Sequence, residues 1–279
     1  GMMRPLALTV MFVIALWPAL AGAQALPGLS SLRVAYNTRK ATVKPGGELK
    51  AQIDAVDREL AAAVQSGDMG EARRQIARGM ALLSGSPWTP ALDYQHSLVI
   101  RAERTVIDSS EPYAARLEQI YRPAIVLSPA ITARISLMKR GAGGAAGGPA
   151  TAVPTVAARE FGRLEGVARY LRESPFPLEL DLSGIPDGAY TLEGQLFDGD
   201  APLGVARLRV VLQKGLGPRL RALGAGAATA PEALRADIGY PADFIRNVNR
   251  GRVGLGTFDV AAELSTAEAV LAAATKEQD

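Results

Sequence analysis

Leu178-Glu-Leu-Asp-Leu182, Ser183-Gly-Ile-Pro-Asp-Gly188 and Ala189-Tyr-Thr-Leu-Glu-Gly-Gln-Leu196 form one continuous stretch, and the fold turns on its reading. Leu178, Leu180 and Leu182 alternate with Glu179 and Asp181, the period that gives a strand one dry and one wet face. Pro186 presets φ and Gly188 accepts positive φ, so Pro186-Asp187-Gly188 reads as a turn. Tyr190, Leu192, Gly194 and Leu196 share one face of the next strand. Asp198-Gly199-Asp200 then turns the chain into a strand over 203–212. Short alternating strands separated by Pro/Gly turns are the signature of an antiparallel sandwich.

Upstream, the same period appears three more times. Leu92, Tyr94, His96, Leu98 and Ile100 alternate with polar residues, predicting a strand with His96 turned inward. Tyr113, Ala115, Leu117, Gln119 and Tyr121 predict another, and Ile131, Ala133, Ile135 and Leu137 a third. Residues 141–158 are mostly Gly, Ala, Pro and Thr, a composition that buries too little to offset its ordering entropy. They read as a linker inside a sandwich spanning 91–213.

Both flanks are helical. Leu49, Ile53, Val56, Leu60 and Val64 recur every three or four residues, so 48–66 reads as an amphipathic helix entered through Pro45-Gly46-Gly47. Gly67 ends it, and Asp68 with Glu71 makes a capping box for a second helix whose outer face carries Arg73, Arg74 and Arg78. This hairpin occupies segment 24–90. From Lys214 the period is again helical: Leu216, Leu220 and Leu223 mark one piece, Pro231 opens a second, Pro241 restarts a third, and Ser265 caps a last one. The expected class is α+β: an immunoglobulin-like antiparallel β-sandwich with an N-terminal helical hairpin and a helical C-terminal arm over 214–279.

Residues 1–23 pair Arg4 with an apolar run over 6–20 and a small-x-small site ending at Ala23. That is the pattern of a cleaved secretory signal, and the run is shorter than the roughly 20 residues a membrane helix needs. The chain is therefore expected to be periplasmic or extracellular, with no stable membrane insertion after cleavage. A formal net charge of +3 over 279 residues is no nucleic-acid footprint, and no nucleic-acid partner is expected.

Zero Cys excludes disulfides, thiolate metal sites and cysteine nucleophiles, and a single His excludes a multi-histidine centre. Gly-x-Ser-x-Gly is absent, because Ser30 has Gly28 before it but Leu32 after it. Gly141-Ala-Gly143-Gly-Ala-Ala146 mimics a dinucleotide fingerprint, but Pro149 and Pro154 replace the helix that must follow. No cofactor, metal or catalytic residue is expected. Ser86-Pro-Trp88-Thr-Pro90 places an aromatic in a rigid loop, and Trp88 with Tyr94 is the candidate ligand contact. Arg246, Asn247, Asn249, Arg250 and Arg252 form a basic, polar segment ending near Gly251, the candidate docking surface.

Four stretches carry a family resemblance: Leu32-Arg-Val-Ala-Tyr-Asn-Thr-Arg-Lys40, Trp88-Thr-Pro-Ala-Leu-Asp-Tyr94, Pro175-Phe-Pro-Leu-Glu-Leu-Asp-Leu182 with its Pro-Asp-Gly turn, and Arg246-Asn-Val-Asn-Arg-Gly251. Together they resemble the amino-terminal, non-catalytic region of secreted bacterial α/β-hydrolase-fold proteins of the prolyl-oligopeptidase-like and polyhydroxybutyrate-depolymerase-like kinds. The resemblance implies that the hydrolase domain, with its serine elbow and histidine, lies beyond this region, and no catalytic residue carries over. The expectation is a non-catalytic accessory module for an α/β-hydrolase catalytic domain, in cis or as a separate chain. The alternative is a free-standing periplasmic module that binds carbohydrate or polymer through the Trp88 loop.

Overall fold

The computed structural model describes residues 28–124, 130–140, 156–167 and 175–278. The signal reading of 1–23 lies outside them, as does most of the linker reading of 141–158. The described chain is α+β. Two sheets share one core, and a helical unit flanks them on each side in sequence.

Strands β1 (Leu98–Ala102), β3 (Tyr113–Gln119) and β6 (Phe176–Leu180) make an antiparallel sheet in the order β1-β3-β6. Strands β2 (Val106–Ile107), β4 (Ile131–Lys139), β5 (Val156–Leu164), β7 (Gly188–Asp198) and β8 (Ala201–Leu212) make a mixed sheet in the order β2-β8-β7-β4-β5. Only the β2–β8 pairing is parallel, and this sheet curls as half a barrel. The Pro186-Asp187-Gly188 turn does not close a hairpin. It carries the chain from β6 in the first sheet to β7 in the second. Leu117, Leu178 and Leu180 of one sheet meet Ile135, Leu192, Leu196 and Leu208 of the other in a single buried cluster. The Asp198-Gly199-Asp200 turn does form a hairpin, with Gly199 at φ 60° and Asp198 opposite Ala201.

Helices α1 (Leu29–Val43), α2 (Gly47–Ser66) and α3 (Met69–Leu83) precede the sheets. The expected hairpin is present: Gly67 ends α2 at φ 75°, and the Asp68 carboxylate accepts the Glu71 amide at 3.0 Å. It gains a third helix, because α1 lays Tyr36 against Gly79 of α3. Tyr36 is 1% exposed and donates to Asp57 of α2 at 2.8 Å, tying all three helices together.

The strand expected over 92–101 is a helix for most of its length. Thr89 accepts the Leu92 amide at 3.2 Å and Pro90 occupies the first turn, nucleating α4 (Pro90–Ser97). Its buried residues are Asp93, Tyr94 and Ser97, a helical spacing, and strand geometry begins only at Leu98. Strand β5 likewise starts at Val156, inside the stretch read as linker.

After β8 come α5 (Leu216–Thr229), α6 (Glu232–Asn249) and α7 (Val260–Gln278), packed around Leu223, Ile238, Ile245 and Leu264. Pro241 does not restart a helix. It sits buried within α6, which continues through it because Ile238, Ile245 and Val248 anchor both sides. Ser265 lies inside α7, whose start is capped instead by Asp259, accepting the Ala262 amide at 3.0 Å. Gly226 lets α5 approach α7 closely: a Cβ there would collide with the Leu271 side chain.

Candidate functional site

Trp88 hangs from the short connection between α3 and α4. Gly85 adopts φ 80°, and the Ser86 amide returns to the Ala81 carbonyl at 3.0 Å, so the loop folds back on its helix. Half-buried Trp88 stacks on His96 of α4, with ring centroids 5.8 Å apart and planes 20° apart. Beside it opens a cleft of about 590 Å³. Leu49 and Gln52 of α2 form one wall, Arg74, Gln75, Arg78 and Leu82 of α3 another, and 85–88 the rim. Apolar surface from Leu49, Leu82, Pro87 and Trp88 shares this cleft with Gln52 and Arg78, while buried Gln75 spends its amide on Glu71 at 2.8 Å.

An ion-pair network braces the α3 wall. Arg74 donates through Nε to Asp93 Oδ1 at 2.9 Å and through Nη2 to Oδ2 at 3.3 Å. It also reaches Glu71 at 3.2 Å. Asp93 is buried and accepts the Ala124 amide at 2.8 Å, while its carbonyl accepts the Tyr121 hydroxyl at 2.5 Å. The helix face read as outer thus turns Arg74 inward, onto α4. Arg78 is half-buried and donates weakly to Gln75 at 3.4 Å. Burial pushes the His96 imidazole below its ordinary 6.5, opposed in part by the Asp93 carboxylate.

Tyr94 does not join Trp88. It is 1% exposed within the sheet core, and burial raises its phenol. The helical turn that replaces the expected strand sends Tyr94 and His96 in different directions, so only His96 meets Trp88.

The basic segment also divides. Asn249 Oδ1 accepts the amides of Thr105 at 2.8 Å and Val106 at 3.0 Å, so this side chain docks α6 onto β2 within the chain. Arg246 is exposed and paired with Asp243 at 3.0 Å. The Asn247 carbonyl accepts the Arg252 amide, and Gly251 at φ 70° lets the helix end turn there. Arg250 and Arg252 remain exposed beyond it.

One structural carboxylate escaped sequence reading. Asp108 is buried between sheet and arm, accepting from the Ser110 amide and hydroxyl and from the amides of Gly215 and Gly217 at 2.9–3.0 Å. Burial alone would raise its carboxyl, but these hydrogen bonds outweigh that and hold it below the usual range. It caps α5 from more than a hundred residues away in sequence, and no local pattern could announce it.

Among the described residues no cluster of three or more His, Asp or Glu is placed to hold a metal, and no helix is long and apolar enough to cross a membrane. Comparison with protein-family models, with curated proteins and with solved structures finds no match to this chain.

Proposed function

We propose that the chain is a non-catalytic module of an exported hydrolase system, holding a glycan or polymer in the Trp88 cleft for an α/β-hydrolase domain, in the same chain or a separate one. The observation that carries the binding half is the cleft itself. A Trp set on a braced loop lines about 590 Å³ together with Arg78, Gln52 and Gln75. Sugar rings present apolar C–H faces and equatorial hydroxyls, and a part-exposed indole beside the Gln52 amide and the Arg78 guanidinium complements both. His96 covers one indole face, so the ligand takes the other face or the edge.

The hydrolase half rests on the four stretches that resemble the leading region of secreted α/β-hydrolase proteins. The immunoglobulin-like sandwich belongs to the same reading, supported by two sheets packed about one core. Export rests on the signal-like 1–23. Arg250 and Arg252 are the segment's exposed cations for docking, since Arg246, also exposed, pairs with Asp243 and Asn249 is engaged internally.

Trp88 and Trp17 are the two Trp residues, and Trp17 lies in the signal-like segment. Protein lacking 1–23 therefore reports on Trp88 alone when titrated with neutral oligosaccharides. A saturable emission shift, abolished by Arg78→Ala and Gln52→Ala together, supports the cleft. A flat response across glucans, xylans and chitin oligomers refutes it.

A further inference from the structure

The mixed sheet has an outer face, opposite the shared core, that the Trp88 cleft does not touch. Because β4, β7 and β8 keep regular register along most of their length, the side chains on this face can be placed row by row. One row holds Arg134 of β4 and Gln195 of β7, with Arg163 of β5 opposite Arg134. The next holds Ser136, Glu193 and Arg207, and a third holds Met138, Thr191 and Arg209; Ser136 and Thr191 are buried, so the arginines make the exposed part of both rows. Arg140 follows one row on, its amide bonded to Ala189. Two carboxylates belong to this face. Glu193 is buried and neutralised by Arg207 at 3.0 Å, and exposed Glu160 stands opposite Ser136.

Four guanidinium groups remain without a carboxylate partner among the described residues. Arg134, Arg163 and Arg209 are exposed. Arg134 and Arg163 both lie over the Phe197 ring, 5.4 Å from its centroid, and Arg163 otherwise reaches only the Gly199 carbonyl at 3.4 Å. Arg140 is half-buried, and its Nη2 has no acceptor. Burial and the neighbouring Arg209 push its guanidinium down to about 10, a rare cost for a group that stays charged so readily. Like charges beside a buried donor with no acceptor form an array that an anion would complement.

From the Arg134 row to Arg140 the array spans about 20 Å at strand rise, so its complement is extended and repeats its charge. Its cations are arginines, whose planar forks pair bidentately with carboxylate and phosphate alike. Two guanidiniums already stack on Phe197 and compete with the base stacking that single-stranded nucleic acid uses on such platforms. The face carries no exposed aromatic anchor of the kind that protein partners seat in pockets.

We propose that this outer face, through Arg134, Arg140, Arg163 and Arg209, binds an anionic polysaccharide, a linear chain of carboxylate-bearing sugars. The surface is separate from the Trp88 cleft and does not depend on the reading of that cleft.

The test uses the chain lacking 1–23 and fluorescein-labelled polygalacturonate, followed by anisotropy at low and high salt. Affinity is expected to fall as salt rises, and the pair Arg134→Glu/Arg209→Glu to weaken binding about tenfold or more, as lost phosphate contacts do for polyanions. The milder pair Arg134→Gln/Arg209→Gln gives a smaller loss in the same direction. Arg33→Glu/Arg39→Glu, the same charge change on the exposed side of α1, leaves binding intact. Circular dichroism establishes that each variant is folded. Equal losses in the sheet and α1 pairs overturn the proposal, as does the absence of binding at low salt. Tighter binding of oligo-dT or polyglutamate than of polygalacturonate overturns it in favour of nucleic acid or acidic protein.

Discussion

Asp93 occupies a position that alternation marks as outward, yet its side chain is 2% exposed and holds three parts of the chain together. A buried carboxylate survives only with its charge matched and its lone pairs filled. Arg74 supplies the fork, and the Ala124 amide supplies a further donor. Removing one partner of such a pair leaves a stranded charge, so Arg74→Ala is expected to cost about 3 kcal/mol or more. Urea unfolding checks this, and Arg74→Lys, with one donor point instead of a fork, recovers only part of the loss. His96 sets an acid limit on stability. Its pKa is lowered by burial, so across the window just below 6.5 the unfolded chain takes up the proton first. Stability is therefore full above that value, and falls as pH drops through the window until the folded-state imidazole also protonates. His96→Gln flattens that part of the stability–pH curve; an unchanged slope would show that His96 is not its source. The sequence reading set Trp88 in a rigid loop and grouped it with Tyr94. The helical turn of α4 sends Tyr94 to the core and brings His96 under the indole.

At the scale of elements, local chemistry was legible wherever the deciding contacts were local. Gly67 and Asp68 end one helix and start the next as their residue types demand, and Gly199 closes the β7–β8 hairpin. Local pattern failed where a distant partner decides. α4 wins over the alternating pattern because Thr89 and Pro90 start a helix and Asp93 finds Arg74. α6 runs through Pro241 because apolar residues on both sides of the proline pack against its neighbours. The join of α6 to β2 rests on Asn249, which satisfies two backbone amides of nearly buried residues. Asn249→Ala leaves both donors unpaired and is expected to destabilise by about 2 kcal/mol. Amide exchange at Thr105 and Val106 should rise more than elsewhere in the sheets. Asn249→Asp, which retains the acceptor, should protect those amides better than Ala.

At the scale of the whole molecule, the described residues form three cores of unequal size. The sheet core gathers residues from both sheets, while the N-terminal helices close around a smaller set that includes Leu32, Tyr36, Ile53, Val56 and Ile76. The Arg74–Asp93 pair links that helical unit to α4. A small core with few ties opens at lower free energy than a large one. Amides of α2 are thus expected to exchange faster than those of β7, and Arg74→Ala to widen the difference; equal protection would mean one cooperative unit. The sequence by itself determined the α+β class, the hairpin of α2 and α3, the β7–β8 hairpin and the helical character after Lys214, because caps, turns and periodicity act over a few residues. Tertiary structure alone decided which sheet each strand joins, that Pro186-Asp187-Gly188 crosses between sheets, that Asn249 faces inward, and that five arginines gather on one sheet face, one of them paired with Glu193. Those outcomes depend on register and packing between residues far apart in the chain. Such energies exist only once the partners meet.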